Sequence, residues 1–351
     1  MINIITYHES SNYGALIQCL ALKQYIEKKY KTNVSLCDYH PTKLIFAEKY
    51  RPLITKNFSK LFNTLKKNYI IKKWKKNAFK ENNYINDDKE NILNIYGSDE
   101  IWNYSNAYHG YDSYYFGKFD TRIKIAYAVS IGRSNYSSLG QEMKSEITKL
   151  LEAFSKISVR DENTAEFVYK LTKIDPEIVL DPSLIYTPSI LENKNFVSCE
   201  IELNYALIYG TVFSKPQKEL INNFCKKRNL KIISVGYYNK WIKENYLGLN
   251  PTTFYNFVKN SKYVFTSMFH GVMFSTKLSK QFYFTTDPIR ENKIKTYINN
   301  LKLNDREILN NISDQDIDYN EVNKKINKLR NSSRNFLVNN INKVFKLHEK
   351  S

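Results

Sequence analysis

Short apolar runs that end at polar loops, each followed by residues in helical spacing, recur along this chain and constrain its fold more than any other feature. The run "INIITY" (2–7) stops at "HESSNYGA", and the stretch after it places apolar residues at 16, 17, 20, 21, 25 and 26. "VSLCDY" (34–39) follows as a second strand-like run. Strand, loop, helix and strand in that order form the βαβ unit of a parallel sheet. "NILNIY", "IKIAYAVSIG" (123–132) and "KISV" repeat the pattern, with helical spacing near 139–154 and after "RDENT", and "IVLDPSLIY" closes this half. Apolar runs of this kind suit strands that are buried on both faces.

A second round begins after a break near 186–204. "YALIYG" (205–210), "KIISVGYY", "KYVFTS" and "QFYFTT" read as strands, and "KPQKELINNFCKKRN", "PTTFYNFVKNS" and "GVMFSTKLS" as the helices between them. The expected fold is therefore α/β, with two Rossmann-like domains facing each other across a cleft. The boundaries expected are 1–186 for the first domain, 187–315 for the second and 316–351 for a helical tail able to pack on either.

Composition excludes several classes. Hydrophobic residues make up 42% and charged residues 25%, as in a globular chain rather than a disordered one. No apolar stretch is long enough to span a bilayer, and "MINIITYHES" is not a signal peptide. The four cysteines are scattered, with no CxxC pair and no metal-ligand spacing, so a cytoplasmic protein without a bound metal is expected. The chain carries +18 net charge, much of it in "KKNYIIKKWKKNAFK" (66–80) and in the tail. Such an excess suits nucleic acid, an anionic membrane face or anionic substrates, and it also follows from a composition rich in Lys and Asn. The 66–80 segment mixes lysines with Tyr69, Ile70, Ile71, Trp74 and Phe79. That pattern fits a helix lying on an acidic membrane surface, and equally a solvated helix packed by its aromatic side.

In open α/β sheets ligands gather beyond the carboxyl ends of the strands, where loops lead into helix N-termini. The polar loops "HESSNYGA", "GSDEIWN", "SIGRSNYSS", "RDENT" and "FHG" all fall there. Arg160 follows "KISV" at a helix start, either to grip an anion or to pair with Asp161 or Asp99. Asp99 is a candidate base or hydroxyl ligand, or the cap of a helix begun at Ile101. His270 follows "KYVFTSMF" and is either a proton donor or a packed core residue, and Gly271 beside it suits a close backbone approach. No GxxxxGK[ST], HExxH or GxSxG occurs, and "NDDKE" (86–90) reads as a solvated turn rather than a metal-binding acidic pair.

Assembled in order, "NYGALIQCLALKQYI", "GSDEIWN", "YAVSIG", "ISVRDENT", "VLDPSLI", "NPTTFYNFVKNSKYVFTSMFHGVMFS" and "RENKIKTYINNLKL" resemble the polysaccharide pyruvyl transferase family. Met268 stands where that family often has a small residue, and 40–95 has no clear counterpart. The resemblance implies a GT-B-like fold and transfer of a pyruvyl group from phosphoenolpyruvate to hydroxyls of a cell-surface polysaccharide sugar, forming a ketal. It implies no cofactor beyond that donor substrate. On the donor side it implies Arg160, His270, Gly271 and Ser267, with His270 as general acid/base and Asp99 assisting. On the acceptor side it implies Asn12, Tyr13, Ser98, Asp99 and Trp102. A lipid-linked glycan acceptor would accord with a peripheral membrane contact at the inner face, and no nucleic-acid partner is expected. Two other classes share parts of the pattern: a GT-B glycosyltransferase using a nucleotide sugar, and a non-catalytic basic binding protein.

Overall fold

In a computed structural model of the chain, residues 2–37, 39–46, 50, 54, 58–79, 92–106, 110–192, 204–287 and 291–348 are described. The "NDDKE" segment and Cys199 lie outside these residues. The chain divides into two units, one of 1–51, 79–188 and 327–351, the other of 52–78 and 189–326. This differs from a contiguous division. Residues 66–78 of the basic segment group with the second unit, and the tail is shared between the two.

The first unit contains β1 (Ile2–Ile5), α1 (Tyr13–Tyr30), β2 (Val34–Leu36) and α2 (Thr42–Ile45). The basic helix α3 (Phe58–Ala78), of the second unit, intervenes before the chain returns with β3 (Leu93–Tyr96) and β4 (Ile123–Val129). Then come α4 (Gln141–Glu152), β5 (Lys156–Val159), α5 (Glu162–Thr172), β6 (Glu177–Ile178) and α6 (Pro182–Ile185). Every strand pairing is parallel, in the order β2-β1-β3-β4-β5-β6, and Ile4 lies opposite both Leu36 and Ile95. β1, β2 and β3 are buried throughout, which explains their unbroken apolar runs. Asn12 starts α1, its Oδ1 accepting from the Gly14 and Ala15 amides, and Asp161 starts α5 in the same way at Thr164. Trp102, Tyr115, Phe116, Phe154 and Phe167 fill one side of the core.

The second unit holds β7 (Tyr205–Tyr209), α7 (Lys215–Lys227), β8 (Lys231–Val235), β9 (Glu244–Tyr246) and α8 (Pro251–Asn260). It continues with β10 (Tyr263–Thr266), α9 (Phe269–Lys277), β11 (Gln281–Phe284) and α10 (Glu291–Leu301). Its strands are also all parallel, in the order β11-β10-β7-β8-β9, the strand order of a Rossmann domain. A capping box between Ser214 and Gln217 starts α7. Phe224, Phe265 and Tyr283 pack beside the sheet.

The last helix, α11 (Tyr319–His348), belongs to the second unit up to Ile326 and to the first from Asn327. Its later part is tied to the first unit: Arg330 donates to the Leu184 carbonyl at 2.8 Å, and Ser333 accepts from the Leu180 amide at 2.8 Å.

Candidate functional site

Each sheet has one place where consecutive connections leave in opposite directions. In the first it lies between β1 and β3, in the second between β7 and β10. The crevice that opens beyond such a switch point is where open α/β sheets bind ligands.

At the first switch point the loops after β1 and β3 are cross-linked through buried side chains. Thr6 Oγ1 donates to the Ser98 carbonyl at 2.9 Å, Gln18 Nε2 donates to Thr6 Oγ1 at 3.2 Å, and Ser98 Oγ donates to Gln18 Oε1 at 2.6 Å. The Tyr7 hydroxyl donates to the Glu100 carbonyl at 3.0 Å. Burial first, then Tyr115 and the acids Asp99, Glu100 and Asp112, hold its pKa well above the ordinary phenol value, so it remains a neutral donor. Gly97, with φ of +127°, lies so close to the Tyr127 carbonyl that no side chain fits. Asp99 has φ of +86°, a left-handed conformation that strains a non-glycine residue by about 1–3 kcal/mol. No helix begins at Ile101; Asp99 Oδ1 instead accepts from the amide of Glu100 at 2.9 Å.

Arg160 is held by two carboxylates. Its Nη1 donates to Asp181 Oδ2 at 2.9 Å and its Nη2 to Asp99 Oδ1 at 3.2 Å, with the side chain 2% exposed. Burial pulls the guanidinium pKa down, but Asp99, Asp181, Asp161 and Glu100 outweigh it and leave the pKa raised. A cation already neutralised by two carboxylates is a poor grip for an anionic donor. Of the two roles open to Arg160, the geometry favours the structural one, with Asp181 rather than Asp161 as second partner. Asp161 is occupied elsewhere, accepting from Ser130 Oγ at 2.6 Å while capping α5.

The expected acceptor-side residues divide by burial. Trp102 is 0% exposed; its indole donates to the Tyr115 carbonyl at 2.9 Å and stacks on Phe116, so it anchors the β3 loop to the core and offers a ligand no surface. Ser98 is also fully buried, in the network with Gln18. Asn12 spends its side-chain oxygen on capping α1, and Tyr13 is buried in the first turn of that helix. Asp99 keeps a side chain 15% exposed at this edge.

At the second switch point α9 begins at Phe269, two residues earlier than expected, so His270 lies within the first turn of the helix instead of in a loop. It is 7% exposed, between Phe269 and Phe274, whose ring lies 6.0 Å away at 25°. Ser267 is buried and its Oγ accepts from the Val212 amide at 3.3 Å, joining the loops after β7 and β10. Thr266 Oγ1 donates to the Tyr209 carbonyl at 2.7 Å and accepts from the Met268 amide at 3.0 Å. A Cβ on Gly271 would collide with that hydroxyl and stand 2.7 Å from Thr266 Cβ. Gly271→Ala is therefore expected to destabilise the second unit by about 1–3 kcal/mol through overpacking. Urea denaturation of the variant checks this, and an unshifted midpoint would remove the packing explanation.

Four residues at these edges were not singled out individually in the sequence. Lys293, in the first turns of α10, is buried and places Nζ 5.7 Å from the centre of the Phe269 ring, supplying a cation beside the helix that carries His270. At the first sheet His8, Glu9 and His40 converge, with ligand atoms all within 4.8 Å of one another. The signal was present as "YHE" after β1 and "YH" after β2, since parallel neighbours bring the residues beyond their carboxyl ends together.

Two parallel, doubly wound sheets, each with polar residues at its switch point, define an α/β protein of the two-Rossmann class. The chain belongs to the polysaccharide pyruvyl transferase family, whose model matches residues 12–287; it is a transferase of that family with the fold of GT-B enzymes. Among solved structures it resembles a UDP-GlcNAc 2-epimerase from Neisseria meningitidis bound to UDP-GlcNAc, at a TM-score of 0.50 and 10% identity, over 97% of this chain and 99% of that one. A UDP-N-acetylglucosamine 2-epimerase from Rickettsia bellii gives 0.46 and 12%, over 99% and 97%. An E. coli heptosyltransferase with ADP gives 0.40 and 10%, over 94% and 100%. Such distant likenesses concern the fold alone. No curated protein matches the sequence.

Proposed function

We propose that the protein transfers a pyruvyl group from phosphoenolpyruvate to two hydroxyls of a sugar in a surface polysaccharide or its precursor. The observation that carries this reading is His270 in the first turn of α9, at the switch point of a sheet in a chain of this family. Protonation of the enol carbon makes the adjacent carbon electrophilic. One sugar hydroxyl adds there, and a second displaces phosphate to close the ketal. Both protons lost by the hydroxyls are accounted for, one on the new methyl group and one on phosphate. His270 is assigned the proton transfer. Lys293 and the amides at the N-terminus of α9 are assigned the donor's negative charge, in place of the neutralised Arg160. Asp99 is assigned to the acceptor side, held by Arg160. The test is release of phosphate from phosphoenolpyruvate in the presence of acceptor glycan, with mass spectrometry of the glycan for the ketal. Binding of a nucleoside diphosphate with no response to phosphoenolpyruvate would move the assignment to a glycosyltransferase.

A lipid-linked acceptor at the inner face of a membrane accords with α3. Among the described residues no helix is long and apolar enough to cross a membrane. On α3, Phe62 and Tyr69 are 66% and 68% exposed, and Leu65 is exposed with them. At 100° per residue these three share one face with the exposed Lys66, Lys72, Lys73 and Lys76. The opposite face buries Ile71 and Trp74, whose indole donates to Thr252 Oγ1 at 2.9 Å. An apolar stripe set among lysines suits an anionic bilayer, where each lysine contributes about 1 kcal/mol. Co-sedimentation with phosphatidylserine vesicles is expected to fall at least about tenfold in the Lys72→Glu/Lys73→Glu variant on that scale. Equal sedimentation of variant and wild type would sink the membrane contact.

A further inference from the structure

We infer that His8, Glu9 and His40 form a binding site for one divalent transition-metal ion of the zinc class. Nothing in the pyruvyl-transfer reading uses these residues. His8 and Glu9 follow β1, and His40 follows the neighbouring β2, so the two parallel strands deliver the three side chains to one edge of the first sheet. Each offers one ligand atom, and these atoms all lie within 4.8 Å of one another.

The ligand set and its support are those of a metal site. Two imidazoles and a carboxylate are borderline-soft nitrogen and oxygen donors, the set that zinc-class ions take with three protein ligands and one open position. His8 Nδ1 lies 3.2 Å from the Thr6 carbonyl. A carbonyl can only accept, so Nδ1 is the nitrogen that donates there, and Nε2 is the ring atom left to ligate a metal ion, losing any proton it carries on binding. Metal-ligating histidines are held in this way, the outer nitrogen donating to a backbone carbonyl, which fixes tautomer and ring orientation. Nε2 then points toward Glu9 Oε1, 4.0 Å away. A cation placed between the two would draw both atoms in as ligands.

Bonds of about 2.1 Å in a tetrahedral site put ligand atoms about 3.4 Å apart. The His8–Glu9 pair must therefore close by roughly half an ångström on binding. His40, which is exposed, has the freedom to swing in, and its exposure provides the entry path. His8 and Glu9, with side chains 3% and 15% exposed, supply the fixed half of the site. The fourth position is left to water or another oxygen ligand. A bound ion would clip the loops after β1 and β2 together beside the first switch point.

The experiment is a titration of tag-free, chelator-treated full-length protein with zinc chloride, followed by calorimetry and by the unfolding midpoint, with no substrate present. One ion per chain and a rise of several degrees in midpoint are expected. Loss of a supporting outer partner alone lowers affinity about 10- to 100-fold, so His40→Ala, which removes an exposed ligand, should weaken binding at least that much. Glu9→Gln should do likewise and guards against an effect peculiar to one variant. Absence of uptake at micromolar zinc would overturn the inference, as would equal uptake by wild type and His40→Ala, which would mean adventitious binding elsewhere. Neither readout depends on pyruvyl transfer, so failure of that reading leaves this test intact.

Discussion

Replacing His270 by alanine is expected to lower phosphoenolpyruvate-dependent ketal formation about 10²- to 10⁴-fold, the usual contribution of a positioned general acid/base. The fall should appear in kcat, with donor binding changed far less, because the proton moves only in the transition state. The fold should survive. His270 occupies the first turn of α9, where alanine is the better helix former, and the strand before it is fixed independently by Thr266 and Gly271. An unfolding midpoint near that of wild type, combined with lost turnover, is the expected pair of results. His270→Gln separates shape from chemistry, since the amide roughly fills the site but does not exchange a proton near neutral pH. If both variants keep turnover within a few fold, His270 is a packed aromatic neighbour of Phe274 and the proton donor must be sought elsewhere.

The strands were legible because parallel strands buried on both faces leave unbroken apolar runs, as "INII" and "YALIY" do. β9 was not, for the opposite reason: "ENY" lies at a sheet edge and is half-buried at every position. The start of α9 was placed at Gly271, two residues late, because "FHG" reads as a polar strand-end loop. The close approach expected at Gly271 is there, and its partner, the Thr266 side chain, has no signature in helical or strand spacing. Likewise the grouping of 52–78 with the second unit rests on contacts such as Trp74 to Thr252, which join residues far apart in the chain. At the site, residue types were informative and partners were not. Trp102 sits in one of the most distinctive motifs and proves to be core, while His40 drew no notice until two neighbouring strands brought it beside His8.

Arg160 decides between two roles that the sequence left open, and the two predict opposite results. If it binds Asp99 and Asp181 as the distances indicate, Arg160→Met leaves two carboxylates facing a site that has lost its cation. Breaking a buried ion pair from one side is expected to destabilise by about 3–5 kcal/mol, because the remaining charge is desolvated without compensation. Asp181 is the more sensitive of the two: its side chain is 0% exposed, and its other oxygen is committed to the Ser183 amide and hydroxyl. Adding Asp181→Asn to the Arg160→Met variant should therefore recover part of the loss, a coupling that a double-mutant cycle in urea reads directly. Arg160→Lys should fall between, since a single ammonium nitrogen cannot occupy both of the positions from which Nη1 and Nη2 reach Asp181 and Asp99. A donor-binding arginine would behave otherwise. Its loss would leave stability within about 1 kcal/mol, as for a residue outside any buried network, while weakening phosphoenolpyruvate binding. That outcome would return Arg160 to the donor. The expected one makes it the residue that holds Asp99, and with it the β3 loop, in place beside the first switch point.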